Sequence, residues 1–233
     1  MHPRIPLLGL AVWAVGLATP LFAADATMPA PAEKSAGWRT LFDGVTLDGW
    51  RSLKSDKPGT GWRVEGGALV TVGKAGDLVT IDEFGDFELS LEWKISPGGN
   101  SGVIYRVGLA ENATFRTGPE YQVLDNQKAE DNKLPSHLAG SLYDLVAPPK
   151  DVTKPVGEWN AARIVVRGWH VEHWLNGEKV VDADLGTPEG RALIAGSKFK
   201  TMPKFATLAR GHLALQDHGD VVSYRAIRIR ELP

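Results

Sequence analysis

Nine consecutive residues, Phe87 to Ile95, alternate without a break: Phe87, Leu89, Leu91, Trp93 and Ile95 are apolar, and Glu88, Ser90, Glu92 and Lys94 between them are polar. A period of two suits an extended strand with one face buried and one wet; on a helix the same residues would be scattered round the circumference. Shorter runs of the same kind are predicted at 61–65, 68–72, 77–81, 102–107, 119–124, 161–167, 170–176, 178–182, 211–216 and 222–230. Gly, Pro, Asp and Asn punctuate them. Asn176-Gly177, set between two such runs, predicts a tight type I′ hairpin turn, because both central residues of that turn need positive φ. One short helix is expected, with Thr187 as its cap, Pro188 in its first turn and Arg191 to Ile194 continuing it. Many short strands without alternating helices predict an all-β sandwich of two antiparallel sheets.

The chain begins with His2 and Arg4, an apolar run from Ile5 to Ala18, then Pro20 and small residues. That is the layout of a secretory signal peptide, cut between Ala23 and Ala26. Residues 1–26 are therefore read as signal, 27–36 as a flexible Pro-containing tether, and 37–233 as one domain, a length at which a sandwich ordinarily has one core. The apolar run is too short for a membrane span and nothing later approaches one. A net charge of −2 with interspersed signs offers no footprint for nucleic acid, whereas a neutral carbohydrate fits it. Cysteine is absent, which excludes disulfides, cysteine nucleophiles and thiolate metal sites. Export to a bacterial periplasm or beyond is the expectation.

Parity identifies the polar side chains that share faces. Arg106 points away from Val103, Tyr105 and Val107; Glu120 and Gln122 share one face; Gln216 points away from Leu213 and Leu215, with His218 two residues on. Asn100, Tyr143, Trp159, Asn160, Trp169 and Trp174 add the polar groups and rings that sugar recognition uses. A lone charge on an outward strand face is, however, usually a solvated cross-strand pair, and tryptophans in sandwiches are more often core. His173 is in phase with Val171 and Leu175 and is expected to pack with its nitrogens bonded. No phosphate loop, Gly-x-Ser-x-Gly elbow or His-Glu-x-x-His helix occurs. Asp125, Asp131, Asp144 and His137 leave a divalent metal open, although their spacing matches no ligand motif. No other cofactor is indicated.

Taken together, Trp38-Arg39-Thr40-Leu41-Phe42-Asp43-Gly44, Leu47-Asp48-Gly49-Trp50, Asn100-Ser101-Gly102-Val103-Ile104-Tyr105-Arg106, Gly118-Pro119-Glu120-Tyr121-Gln122-Val123-Leu124-Asp125, Gly157-Glu158-Trp159-Asn160, His173-Trp174-Leu175-Asn176-Gly177 and Gln216-Asp217-His218-Gly219 resemble the 3-keto-disaccharide hydrolase family. The resemblance runs from Trp38 to about Arg230. It implies a concanavalin-A-like lectin/glucanase jelly roll, bacterial export and sugars oxidised at C3. Such a substrate accounts for the lack of the carboxylate pair that ordinary glycosidases use, because the ketone acidifies the hydrogen on C2. One base then suffices, with a donor for the enolate oxygen and an acid for the leaving oxygen. On this reading Glu120 or His218 is the base and Arg106 the enolate stabiliser. Gln122, Gln216 and Asn160 position the sugar, and Asn100, Tyr143, Trp174 and Asp217 add contacts to it. A non-catalytic carbohydrate-binding module, an ordinary glycoside hydrolase and an adhesion module are the competing readings, since the fold hosts all of them.

Overall fold

A computed structural model describes residues 37–233. The signal peptide and the tether read at 1–26 and 27–36 lie outside the described residues. Thirteen strands follow in order: β1 (Arg39–Thr40), β2 (Trp50–Ser52), β3 (Trp62–Glu65), β4 (Ala68–Thr71), β5 (Leu78–Phe84), β6 (Phe87–Ile95), β7 (Asn100–Val107), β8 (Glu120–Leu124), β9 (Asn160–Arg167), β10 (His170–Leu175), β11 (Glu178–Asp184), β12 (Gly211–Leu215) and β13 (Val222–Glu231). One sheet has the order β11-β10-β9-β6-β13-β4-β3, with β1 also on β13; the other has the order β2-β5-β12-β7-β8. All the pairings are antiparallel. The sequence periodicity misses β1 and β2, which are too short to show a period.

The alternation in β6 does what it predicts. Phe87, Leu89, Leu91, Trp93 and Ile95 are buried, and they share the core with Val103 and Tyr105 of β7, Tyr121 and Val123 of β8 and Leu213 and Leu215 of β12. On the other face of β6, Glu88 is held by Arg163 at 3.0 Å and by Arg230 Nε at 2.8 Å. The β10–β11 turn has φ of 50° at Asn176 and 87° at Gly177, as its type requires. The helix α1 (Pro188–Gly196) starts where its cap predicts, with Gly190 N–H donating to Thr187 Oγ1 at 3.1 Å. Among the described residues no helix is long and apolar enough to cross a membrane.

Among the described residues His173 is the one histidine wholly inside the sandwich. Its Nδ1 lies 3.1 Å from the Gly140 carbonyl and 3.2 Å from that of Ser141, so this nitrogen carries the hydrogen, and Tyr105 Oη donates to Nε2 at 3.2 Å. Burial pushes its pKa down to about 4. The bonds matter for the site, because residues 140–143 run along the free edge of β8: Gln122 N–H donates to Ser141 O, Gly140 N–H to Gln122 O and Tyr143 N–H to Glu120 O.

Candidate active site

The five-stranded sheet turns its other face away from the core, and there Val79, Ile104, Val107 and Ala214 form a small apolar floor. Beside that floor the strand ends bring polar residues into a row. Gln216 N–H donates to Gly102 O, and Gly102 is directly opposite Gln122 in the β7–β8 ladder. Asp77, in phase with Val79, closes the row on the β5 side by accepting from Asp217 N–H at 3.0 Å. Glu120 flanks the row two residues along β8, and Asn100 flanks it two residues along β7.

Three amides of this group are unsatisfied. Gln122 Nε2 and Oε1, Asn100 Oδ1 and Gln216 Oε1 are all buried without a hydrogen-bond partner, and so is Ser141 Oγ on the adjoining segment. Buried polar atoms in folded proteins are nearly always paired, so a cluster left open marks groups whose partners come from outside the chain. Amide groups that both donate and accept match the hydroxyls of a sugar.

Glu120 sits among them at 5% exposure. Removal from water pushes its carboxyl up to about 8; Lys198 opposes the shift, and Asp77 and Asp131 add to it. A carboxyl that titrates near neutral pH can take and return a proton within one cycle. Asp77 is raised as well, chiefly by burial, against the Thr114 hydroxyl and the Asp217 amide that donate to it.

A cavity of about 440 Å³ opens next to this row, lined by Gln216, His218, Asp77, Phe115, Leu53 and Asn112 among others. Its size is that of a small-ligand site. His218 stands exposed in its wall; Glu120 and Gln122 are not among the lining residues, but Asp77, which is, acts electrostatically on Glu120. Asp217 also lines the cavity, but its carboxylate is occupied: it accepts from the amides of Ala75, Gly76 and Gly219 and ties the 73–76 loop to the 217–219 turn. It shapes the wall.

On the other flank Tyr143 Oη donates to Asp131 Oδ2 at 2.8 Å, and its ring stacks on His137 at 4.4 Å. The two nitrogens of His137 face Asp131 at 2.8 Å and Asp144 at 3.0 Å. Asp125 instead caps its own loop, accepting from the amides of Gln127, Lys128 and Gly98. Among the described residues no set of three or more His, Asp or Glu is disposed to hold a metal ion. The four residues that left a metal open are thus held by one another and by backbone amides.

Three expected site residues do not join. Arg106 has φ of 54°, which breaks the alternation of β7. Its guanidinium runs to the far end of the sandwich, donating to Gly168 O at 2.6 Å, Gly85 O at 3.2 Å and Asp86 Oδ1 at 3.0 Å under the ring of Trp169. It joins the two sheets and does not face Glu120. Asn160 begins β9 in the other sheet, where its Oδ1 accepts from Lys154 N–H and Asn176 Nδ2, both at 2.8 Å. Trp174 lies on the outer face of that same sheet, with the Arg163 guanidinium 3.9 Å above its ring and its Nε1 donating to Glu172. Trp159 and Trp169 are likewise covered by Arg225 and Arg191. The structure also supplies residues that the sequence reading passed over. Asp77 was legible, being in phase with Val79 at the start of a predicted strand. Lys198 follows α1 in a segment with no period to read.

Residues 37–230 match the 3-keto-alpha-glucoside-1,2-lyase-like domain. A 3-keto-disaccharide hydrolase of Bacteroides thetaiotaomicron is 36% identical over 231 residues, covering 84% of this chain and 79% of that protein. A crystal structure of a candidate glycosyl hydrolase from Parabacteroides distasonis superposes with a TM-score of 0.83 at 32% identity, over 88% of this chain and 99% of that one. A second such structure from the same organism gives 0.69 at 31% identity, over 84% and 99%.

Proposed function

Because the chain belongs to the 3-keto-alpha-glucoside-1,2-lyase-like family of carbohydrate-active proteins, we propose that it cleaves glycosides whose sugar carries a ketone at C3, using Glu120 as the base. The observation that carries this reading is the conjunction of one buried carboxyl, pushed up to about 8, with the unpaired amides of Asn100, Gln122 and Gln216. The amides bind the ring hydroxyls and present C2 to Glu120.

In the first step the Glu120 carboxylate takes the C2 proton. The C–H pair forms a C2–C3 double bond, and the C3 carbonyl pair moves onto its oxygen as an enolate. In the second step that pair returns, a C1–C2 double bond forms, and the C1–O bond breaks. The departing oxygen takes a proton from the imidazolium of His218, which is exposed in the cavity wall. Water then adds across the new double bond, its OH going to C1 and the proton held by Glu120 to C2, while its second hydrogen goes to His218, so both groups are restored and the net result is hydrolysis. The relative's name, a 3-keto-disaccharide hydrolase, and the family's description as 1,2-lyase-like fit the two outcomes of this one path. The N-terminal signal extends the proposal: the enzyme is exported and works in the periplasm or outside the cell. Product analysis tests the path. A 3-keto disaccharide incubated with the pure protein should yield an unsaturated 3-keto sugar or its hydrate, whereas release of sugar only from the unoxidised disaccharide would refute it.

A further inference from the structure

We propose that Lys198 is a catalytic residue of this reaction: its ammonium receives the negative charge that develops on the substrate's C3 oxygen. The proposal rests on the function proposed above and fills the place that Arg106 leaves vacant. An enolate formed in a partly buried site needs a cation or donor set in advance where the charge appears.

The position of Lys198 is fixed from both sides of its backbone. Its amide donates to Asp144 Oδ2 at 2.8 Å, and Ser197 Oγ, just before it, accepts from Phe199 N–H at 3.1 Å. The side chain then passes over Tyr143, with Nζ 4.1 Å from the ring centroid and 5.8 Å from that of Phe115. Both rings belong to the reacting region: the Tyr143 side chain is close enough to Glu120 for their charges to interact, and Phe115 lines the cavity. The ammonium has no ion-pair partner within 4.0 Å among the described residues, unlike Arg106, which is held by Asp86. A cation lying on aromatic faces beside a buried carboxyl, with its donors unspent, is set to take an anionic oxygen.

The charged and titratable groups around this point are Glu120 on β8, Asp77 before β5, Asp131, His137 and Asp144 in the loop after β8, His218 in the cavity wall, and Lys198 itself; of those that act on Glu120, Lys198 favours its ionised form and Asp77 and Asp131 oppose it. Lys198 therefore acts at both ends of the proton transfer. The C2 proton goes to the carboxylate, and the electron pair that it leaves ends on the C3 oxygen facing Nζ.

Lys198→Met, Lys198→Arg and the wild-type mature protein, each checked for unchanged melting temperature, would be compared on a 3-keto-glucoside in D2O, with C2–H exchange followed by proton NMR alongside turnover. The expected result is a fall of about 10²–10³ in both exchange and kcat for Lys198→Met, with KM little changed. The pH–rate limb of Glu120 should move to higher pH, and Lys198→Arg should recover part of the rate. Wild type that exchanges C2–H while Lys198→Met matches it within about threefold, a difference under 1 kcal/mol, would overturn the role of Lys198 alone. Wild type that turns over no keto sugar and exchanges no C2–H would overturn the proposed function and Lys198 with it.

Discussion

Gly102 and Glu120 share one space: a Cβ added to Gly102 would lie 2.7 Å from Glu120 Cδ, so the carboxyl occupies the room that the missing side chain leaves. The glycine in the middle of a buried strand is thereby tied to the site and not to a turn. Gly102→Ala pushes the flexible end of Glu120 aside before it moves backbone. Its expected effect is a loss of about 10–10² in kcat with a stability cost of about 1–2 kcal/mol, as overpacking gives. Parallel kinetics and thermal melts check it; a variant that melts early yet keeps full turnover would contradict the relationship.

Glu120→Gln keeps the shape and removes the acid. Turnover should fall by about 10²–10⁴, the range for loss of a general base. The stability effect has the opposite sign. A carboxyl raised to about 8 in the folded state binds protons more tightly there than in the unfolded chain, so its contribution is complete below about 4.5 and is lost as pH rises through 8. The glutamine escapes that loss, which is on the order of a few kcal/mol. Melts at pH 5 and pH 9 should show the variant close to wild type at the first and clearly more stable at the second.

His173 gives the reverse slope. Its pKa is depressed to about 4, so the stability it contributes is present above the unfolded value of about 6.5 and disappears as pH falls from there toward 4. His173→Gln also breaks the bond from Tyr105 and should cost about 1–3 kcal/mol at pH 7. The gap from wild type should narrow by pH 5. A constant gap across that window would show that the imidazole is not held neutral.

Arg106→Met separates structure from chemistry. Loss of a buried guanidinium that bonds two turn carbonyls and Asp86 should cost about 2–4 kcal/mol, and the Tm should fall accordingly. Turnover per folded molecule should stay within a few-fold of wild type. A collapse of kcat at unchanged Tm would return the enolate role to Arg106.

These contrasts follow from what a sequence can express. Alternation in β6, the Thr187 cap and the Asn176-Gly177 turn are local rules, and each appears in the structure where the chain predicts it. The grouping of Glu120, Gln122 and Gln216 on one face was legible for the same reason, since parity holds within β8 and through the end of β12. Parity does not reveal which sheet a strand joins, and so Asn160 and Trp174 were grouped with residues they never meet. It also fails where the backbone leaves the strand region, and nothing in the residue type of Arg106 announces a φ of 54°. Lys198 is placed by Asp144, more than fifty residues earlier, a contact that no local pattern encodes.

The N-terminal reading has its own check. The exported form should begin between Ala24 and Thr27, and terminal sequencing of periplasmic protein decides it. A periplasmic chain that starts at Met1 would refute the signal peptide.

The most direct test of the account compares two chromogenic substrates that differ only at C3, a 3-keto-glucoside and the parent glucoside, with the same pure mature protein. Acid–base cleavage through C2 needs the ketone, so the account predicts saturable release of the chromophore from the keto form and none above background from the parent. Release from the parent alone would make this an ordinary glycoside hydrolase, and saturable binding of the keto form without release would make it a binding module; either result contradicts the account.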